Sequence, residues 1–533
     1  MARNKFYITT PIYYTNSHIH IGGAYTTIAA DILARWHRLM GNKVFFLTGT
    51  DEHGQKIQEA AENTGKSPKK FVDEITKEFQ EALKLLNISN DNFIRTTNPF
   101  HEEEVKKVLQ ELYDQKYIYK GKYEAHYCVG CEQYKTESEL TEGKCPLHKT
   151  IPELRREEAY IFKLSAFQKK LLKLVKTEKY KILPDIRKKE IVNFIETGLN
   201  DISISRLKEK VSWGIELPFD KKHTTFVWVD AFWNYLTGLR EKKAFDAFWP
   251  PNLQLMAKDI IRVHATIWPA LLLALDYKLP ETLFVHGYFT VNGQKMSKSL
   301  GNVVSPFNLI RKYGADSLRY FLMRNIPFGD DGDFSEEALK ERHNNELANK
   351  LGNLVSRVSA LAEKYGLEKT KNEYKLNEKW RAVIENGEIE VKEILTQDNK
   401  NNFYVFDKKT NSESDSLIFS DWLSFNFEPI YLLFSKQIGD YKLDKALNTI
   451  FAFIDHCNEY IQYRKIWETK NKKHLYELVS SIKLITILLS PFMPSTCEKI
   501  AKTFNFDISL KSLEQDLKVS KIKKSDILFT KIQ

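Results

Sequence analysis

Five cysteines in 533 residues are too few, and too unevenly placed, for a disulfide framework. Three of them crowd between Cys128 and Cys145, while Cys457 and Cys497 stand apart in helical-looking sequence. That distribution points to a metal site in a reducing compartment, with two buried thiols left over. Long apolar runs are missing too: stretches such as Leu271 to Leu275 fall well short of the roughly 18 residues that span a bilayer. No membrane association is expected. A leader is not expected either, because the chain enters the strand-like run Lys5 to Thr10 within its first few residues, which predicts a cytoplasmic protein. No internal repeat is evident.

What is present is ordinary for a soluble globular protein, with 42% hydrophobic and 28% charged residues. A chain of 533 residues exceeds what one core supports and predicts about three or four domains. The net charge of +10 and pI near 8.9 suit a polyanionic partner without requiring one.

Short β-rich runs at Lys5 to Thr10, Lys43 to Gly49, Thr224 to Val229 and Thr282 to Val291 alternate with helical patterns. One helix follows Gly22, with Ile28, Ile32, Trp36 and Leu39 on one face and a stop at Gly41. Another starts at Ser67 and Pro68 and aligns Phe71, Ile75, Phe79 and Leu83. This alternation predicts an α/β fold with a doubly wound, Rossmann-like parallel sheet, whose ligands bind beyond the carboxyl ends of the strands. The pattern breaks between residues 117 and 223, which predicts an insertion. It resumes through 224–291 as the second half of the domain begun at 1–116. Residues 292–334 carry the Lys295–Ser299 loop and are expected to form a stem-contact region, and from Ser335, an N-cap followed by Glu336 and Glu337, the chain reads as an all-α helix bundle to residue 533. Within it, an Asn/Lys-rich insert near 385–420 with a β-like Phe403-Tyr404-Val405-Phe406 has no assigned role.

Three motifs carry chemistry. Lys295-Met296-Ser297-Lys298-Ser299 lies between Gly293 and Gly301, a loop able to place two charges on a polyphosphate. Alone it could be a solvated turn. His18-Ile19-His20-Ile21-Gly22-Gly23 opens a helix, where small residues and free N–H groups favour a close anionic ligand. Alone it could be a glycine turn. Cys128-Val129-Gly130-Cys131 and Cys145-Pro146-Leu147-His148 form two knuckles able to close a tetrahedron around Zn²⁺. A redox dithiol at Cys128 and Cys131 is the alternative, and it leaves Cys145 and His148 unexplained.

The first two motifs, with Thr10-Pro11-Ile12-Tyr13-Tyr14, Thr50-Asp51-Glu52-His53-Gly54 and Trp228-Val229-Asp230-Ala231-Phe232-Trp233-Asn234-Tyr235, resemble the class I aminoacyl-tRNA synthetases of the methionyl, compact bacterial type. The resemblance covers nearly the whole chain apart from the Asn/Lys-rich insert. It implies a methionine–tRNA ligase that forms methionyl-adenylate from ATP with Mg²⁺, releases pyrophosphate and charges tRNA(Met), including the initiator. Catalysis would rest on His20, Lys295 and Lys298, and the nucleotide would also meet Gly22, Gly23, Lys258 and Asp259. Methionine would lie against Ile12, Tyr14, Asp51, Trp228, Ala231, Tyr235, Ile260 and His264, with Asp51 on its ammonium. Asn353, Arg357 and Trp467 would read the anticodon, and Cys128, Cys131, Cys145 and His148 would hold one structural zinc that orders the insertion over the acceptor end. Because the chain stops soon after the bundle, a monomer is expected.

Two positions depart from the family pattern: Gly23 stands where a second histidine is usual, and Ile466 replaces a proline before Trp467. Gly23 predicts slow adenylate formation, with His18 as a candidate replacement. The alternative readings are a catalytically impaired, synthetase-like tRNA-binding protein and a sister synthetase for another small apolar amino acid. The insertion is too short for the editing module such sisters need.

Overall fold

Strand β1 (Lys5–Thr9) is apolar on both faces and almost wholly buried, as expected for the middle of a parallel sheet covered by helices. The computed structural model describes residues 4–130, 132–135, 137–146, 149–291, 293–296, 302–369, 427–517 and 522–533, with the backbone of three strands between 389 and 413. The chain divides into two compact units, one made of Met1–Ala34, Asn42–Lys84 and Ile88–Gly287, the other of Arg35–Gly41, Leu85–Asn87 and Tyr288–Gln533.

In the first unit the described strands include β2 (Tyr13–Tyr14), β3 (Lys43–Asp51), β4 (Asn92–Arg95), β5 (Ile118–Cys128), β6 (Gln133–Lys135), β7 (Glu153–Phe162) and β8 (Lys181–Leu183). They continue with β9 (Ile202–Ser203), β10 (Ser205–Leu207), β11 (Glu216–Leu217), β12 (Asp220–Thr225), β13 (Leu253–Ala257) and β14 (Thr282–His286). The helices are α1 (Ile21–Leu39), α2 (Gln55–Asn63), α3 (Pro68–Leu85), α4 (Pro99–Asp114), α5 (Gln168–Lys176), α6 (Asp185–Glu196), α7 (Val227–Phe232), α8 (Asn234–Glu241), α9 (Phe245–Phe248) and α10 (Ile261–Ala274). A seven-stranded parallel sheet runs β2-β3-β1-β13-β14-β8, with β4 also paired to β3. The chain leaves β1 for β3 on one side and returns later as β13 on the other. That reversal opens a crevice at the carboxyl end of β1, the switch point where doubly wound sheets bind ligands.

Ile28, Ile32 and Trp36 of α1 are buried, and Gly41, at φ 83°, lets the chain turn back into β3. Phe71, Ile75, Phe79 and Leu83 form the buried face of α3. Between β5 and β12 the inserted segment builds its own antiparallel sheets, β6-β5-β7-β9 and β10-β12-β11.

Two expectations need correction. The run Thr224 to Val229 is not a strand of the parallel sheet: Thr224 and Thr225 end the antiparallel β12, and Val227 begins α7. Its β-branched residues fit either role, and packing decides. The run Thr282 to Val291 breaks after His286, and Phe289–Val291 pairs elsewhere. Strand β13 carries the short apolar sequence LQLMA, buried through its first four residues, and was not foreseen.

In the second unit a small sheet joins β15 (Phe289–Val291), β16 (Gln294–Lys295) and β17 (Gly332–Asp333) in the order β16-β15-β17. Helices α11 (Pro306–Tyr313) and α12 (Ala315–Arg324) precede α13 (Glu336–Arg342), whose N-cap Ser335 accepts from Ala338 N at 3.2 Å. A π-helical stretch, His343–Gly352, leads into α14 (Asn353–Tyr365). The bundle continues with α15 (Phe427–Gly439), α16 (Leu443–Tyr463), α17 (Ile466–Thr469), α18 (Lys472–Leu489) and α19 (Pro494–Phe504). The backbone of Ile389–Leu395, Asn401–Asp407 and Ser412–Glu413 forms an antiparallel sheet within the otherwise helical part. Among the described residues, no helix is long and apolar enough to cross a membrane.

Candidate active site

The crevice at the end of β1 is walled by residues far apart in the chain. Asp51 closes β3, and Oδ1 of its carboxylate is buried without a hydrogen-bond partner. Burial, reinforced by the negative charges of Asp230 and Glu132, pushes this carboxyl well above the usual range. Its neighbours are compensated. Asp230, buried on α7, binds His53 Nδ1 at 2.7 Å and His101 Nε2 at 2.9 Å. Burial opposes its ionisation, but the two imidazoles outweigh that and hold it below the usual carboxylate range. Glu52 accepts two bonds from Arg95, at 2.7 and 2.8 Å, and further bonds from the hydroxyls of Thr50, Thr76 and Thr97. Trp213 Nε1 donates to Glu52 O at 2.5 Å. The Asp51–Gly54 loop is thus rigidly held, and Asp51 has no cationic side chain within reach among the described residues.

Beside it lies an apolar recess. Tyr235 and Ala231 are buried, while Ile12, Trp228 and Ile260 are partly buried and pack against the same core. His264 is 2% exposed, and its ring contacts Phe232 at 5.1 Å and Trp228 at 6.5 Å. Burial lowers its pKa to about 4, so it is neutral. Its Nδ1 donates to Ile260 O at 3.0 Å, leaving Nε2 as acceptor for the Tyr235 hydroxyl at 2.8 Å. The pair therefore presents ring faces and no net charge, a surface suited to a thioether and poor for a charged side chain. Tyr14 is partly buried, with its hydroxyl near the Asp51 and Glu132 carboxylates, and burial followed by those charges raises its pKa well above the usual value.

At the start of α1, His20 precedes the helix and its Nδ1 accepts from Gly22 N at 3.1 Å. The proton of the neutral ring then sits on Nε2, the form able to donate to a phosphate oxygen. Gly22 and Gly23 lie in the first turn of α1. His18 is exposed and tied to Glu78 at 2.5 Å, so it is no stand-in for the absent imidazole. Lys258 and Asp259 form a 3₁₀ turn between β13 and α10. Lys295 contributes its backbone to β16, paired with Thr290, and Lys298 lies outside the described residues.

Cys128, at the end of β5, and Cys145 are buried. Cys131 and His148 lie outside the described residues. In the second unit, Asn353 is exposed on α14, and the Arg357 guanidinium lies 5.9 Å from the centre of the Trp467 ring. Trp467 is 39% exposed on α17, which is flanked by the left-handed Lys465 and Lys470. Ile466, in place of the family proline, is fully buried and anchors this turn.

Sequence reasoning missed His101, Arg95 and Glu132 as partners of the site. His101 sits in the first turn of the amphipathic α4 with no local signature, and Glu132 stands directly after Cys131, within the cysteine cluster.

The family model "tRNA synthetases class I (M)" matches residues 6–150 and 135–359, and "Anticodon-binding domain of tRNA ligase" matches 430–529. The methionine–tRNA ligase of Caldanaerobacter subterraneus subsp. tengcongensis is 41% identical over 551 residues, covering 99% of this chain and 79% of that protein. That of Bacillus subtilis is 37% identical over 561 residues, covering 99% of this chain and 78% of the relative. The crystal structure of Mycobacterium tuberculosis methionyl-tRNA synthetase bound by methionyl-adenylate superposes with a TM-score of 0.84 at 30% identity, covering 99% of this chain and 100% of the other. None of these similarities favours a catalytically impaired tRNA-binding protein. A parallel sheet whose switch point gathers an unpaired carboxylate and an uncharged aromatic recess, followed by a helix bundle, accords with that kinship, and the chain belongs to the class I tRNA synthetases of the methionine type.

Proposed function

We propose that this chain activates L-methionine with ATP and transfers it to tRNA(Met), initiator tRNA included, acting as a cytoplasmic monomer. The observation that carries the reading is the buried, unpartnered Oδ1 of Asp51 beside the neutral Tyr235–His264 pair, which suits an ammonium at one end of the substrate and a thioether at the other. With the ammonium on Asp51, the methionine carboxylate attacks the α-phosphorus of ATP and the bond to the bridging oxygen breaks, so pyrophosphate leaves. A terminal ribose hydroxyl of the tRNA then attacks the adenylate carbonyl, its proton departs, and AMP is released. His20 Nε2–H and the N–H groups opening α1 stabilise phosphate charge, with Lys258 and Asp259 bordering the nucleotide. Lys295 and Lys298 stabilise the departing pyrophosphate, and Mg²⁺ accompanies the nucleotide.

The donor set of the insertion suits zinc: two buried cysteines, Cys128 and Cys145, each open a C-x-x-ligand knuckle, with Cys131 and His148 to complete four ligands. Bound there, the metal would supply structural order. In the bundle, Trp467 and Arg357 offer a stacking plane and a bidentate fork to unstacked anticodon bases, with Asn353 on the same helix as Arg357.

Methionine-dependent ATP–pyrophosphate exchange tests this reading. Exchange should appear with methionine and stay near background with leucine, isoleucine, valine and cysteine. No exchange with methionine, or equal exchange with any of the others, would overturn it.

A further inference from the structure

The turn from Val129 to Glu132, which follows Cys128 at the end of β5, reaches across to the Asp51 loop. Glu132 N donates to Val129 O at 3.2 Å, closing the turn. Glu132 itself takes a φ of 47°, a left-handed conformation that is unfavourable for a residue with a Cβ. Its side chain is nonetheless 4% exposed and directed inward. Oε1 accepts from Lys56 N at 3.1 Å, in the first turn of α2, and the Lys56 ammonium donates back to Gly130 O. The α2 start has no side-chain cap of its own, because its N-cap is Gly54. Glu132 takes that role from 76 residues away.

Gly54 shows why the contact is close. At a φ of 112°, a Cβ on it would lie 2.7 Å from the Tyr14 hydroxyl and 3.1 Å from Glu132 Oε1. Tyr14, Gly54 and Glu132 therefore converge on one point. Tyr14 is in register with Asp51 across β2 and β3. Glu132 thus borders both edges of the ammonium site, with Tyr14 close by across Gly54 on one side and, on the other, the segment that runs from Asp51 into α2, whose Lys56 N it accepts from. A turn that needed only to fold would not bury a carboxylate next to another uncompensated one, since that arrangement is unfavourable until a cation enters.

We propose that Glu132 is a positioning residue for the amino-acid ammonium: from the insertion it holds the start of α2 and, with Tyr14, fixes the Asp51–Gly54 loop. The inference rests on reading the crevice as the methionine site. It makes the insertion part of amino-acid recognition as well as a cover for the RNA end.

Methionine titrations followed by tryptophan fluorescence, paired with exchange kinetics, test it in the full chain and in Glu132→Ala and Glu132→Gln. Glu132→Ala should weaken methionine about tenfold or more, the loss expected when the carboxylate that meets the ammonium is no longer held in place. Methioninol, which keeps the ammonium, should weaken in parallel. The KM for ATP and the kcat of exchange should stay within about threefold, since phosphate contacts are untouched. Glu132→Gln retains an acceptor for Lys56 N and should fall between the other two. If Glu132→Ala does not fold, Glu132→Gln decides: methionine affinity equal to the unaltered chain overturns the proposal. So does a Glu132→Ala that binds methionine normally, or one whose ATP KM rises and kcat falls in step with the loss of methionine affinity. Failure of the unaltered chain to bind methionine would instead overturn the functional reading, and this inference with it.

Discussion

Gly23 sits in the first turn of α1, where its carbonyl accepts from the Tyr13 hydroxyl at 3.0 Å and the Thr27 hydroxyl at 3.0 Å. Nothing in the backbone demands a glycine there. Its φ is not positive, and a Cβ would meet Tyr13 Cε1 at 3.4 Å and Ile19 Cγ1 at 3.9 Å, ordinary contact distances. The position can therefore carry the family histidine at little steric cost, and its loss removes a donor without reshaping the helix. Gly23→His should raise the rate of methionine-dependent exchange by about 10- to 100-fold, somewhat less than a full oxyanion-hole donor is worth, with the KM for methionine unchanged. An equal or lower rate in the variant would show that the site has compensated in another way. Much of this site was legible residue by residue. Asp51 ends a readable strand, and His264, four residues after Ile260, comes back to the Ile260 carbonyl at the start of α10. The compensating partners were not legible. His53 and Asp230 are 177 residues apart, His101 and Asp230 are 129, and Lys56 and Glu132 are 76. Pairs at such separations leave no periodicity in the sequence, and only the tertiary fold brings them together.

The short helix α17 shows how an element can be shaped for a single side chain. It is one turn long, begins and ends at left-handed lysines, and is anchored by the fully buried Ile466, so that Trp467 is left 39% exposed under the Arg357 guanidinium. A tryptophan held out by an anchored turn is better suited to stack on a base than to fill a core. Trp467→Ala should lower kcat/KM for tRNA charging by about tenfold or more, the worth of one base stack, while leaving methionine-dependent exchange within twofold. Equal loss in both assays would assign the residue to folding. At the same scale, elements with a strong period were readable and those set by neighbours were not. α3 shows four apolar positions at helical spacing and a Ser67–Pro68 start, and it forms as expected. The run Thr224 to Val229 has strand-like composition yet splits between β12 and α7, because Asp230 must turn inward to meet His53 and His101. β13, five residues long and buried through its first four, carries no alternation, so its sequence alone does not separate it from a buried helical turn.

Among the described residues, burial lowers the pKa of three imidazoles to about 4: His264 and His286 in the first unit, both buried, and the partly buried His37 in the second. In the unfolded chain these rings titrate near 6.5, so between pH 6.5 and about 4 the unfolded state binds more protons than the folded one. Their contribution is fully present above pH 6.5 and is lost progressively as the pH falls toward 4. Two groups of the site work the other way. His53, raised by Asp230 against the effect of burial, favours the folded state at low pH, and so does Asp51, whose carboxyl burial pushes up. The net acid sensitivity is therefore a difference, and a single-site comparison isolates one contribution to it. His286 is suited to this because it lies outside the methionine recess, its Nε2 on the Thr26 hydroxyl at 2.7 Å and its Nδ1 on Gly287 O at 2.7 Å. Asparagine keeps donor and acceptor capacity there but does not titrate. Urea unfolding of the unaltered chain and of His286→Asn at pH 7.5 and 5.0 should show the variant losing less stability on acidification, by about 2 kcal/mol, one proton's worth over about 1.5 pH units. The variant's own cost at pH 7.5 cancels in this comparison. Equal losses in the two proteins would mean that the His286 ring takes up its proton in the folded state as readily as in the unfolded one, and that burial at the end of β14 does not hold it neutral.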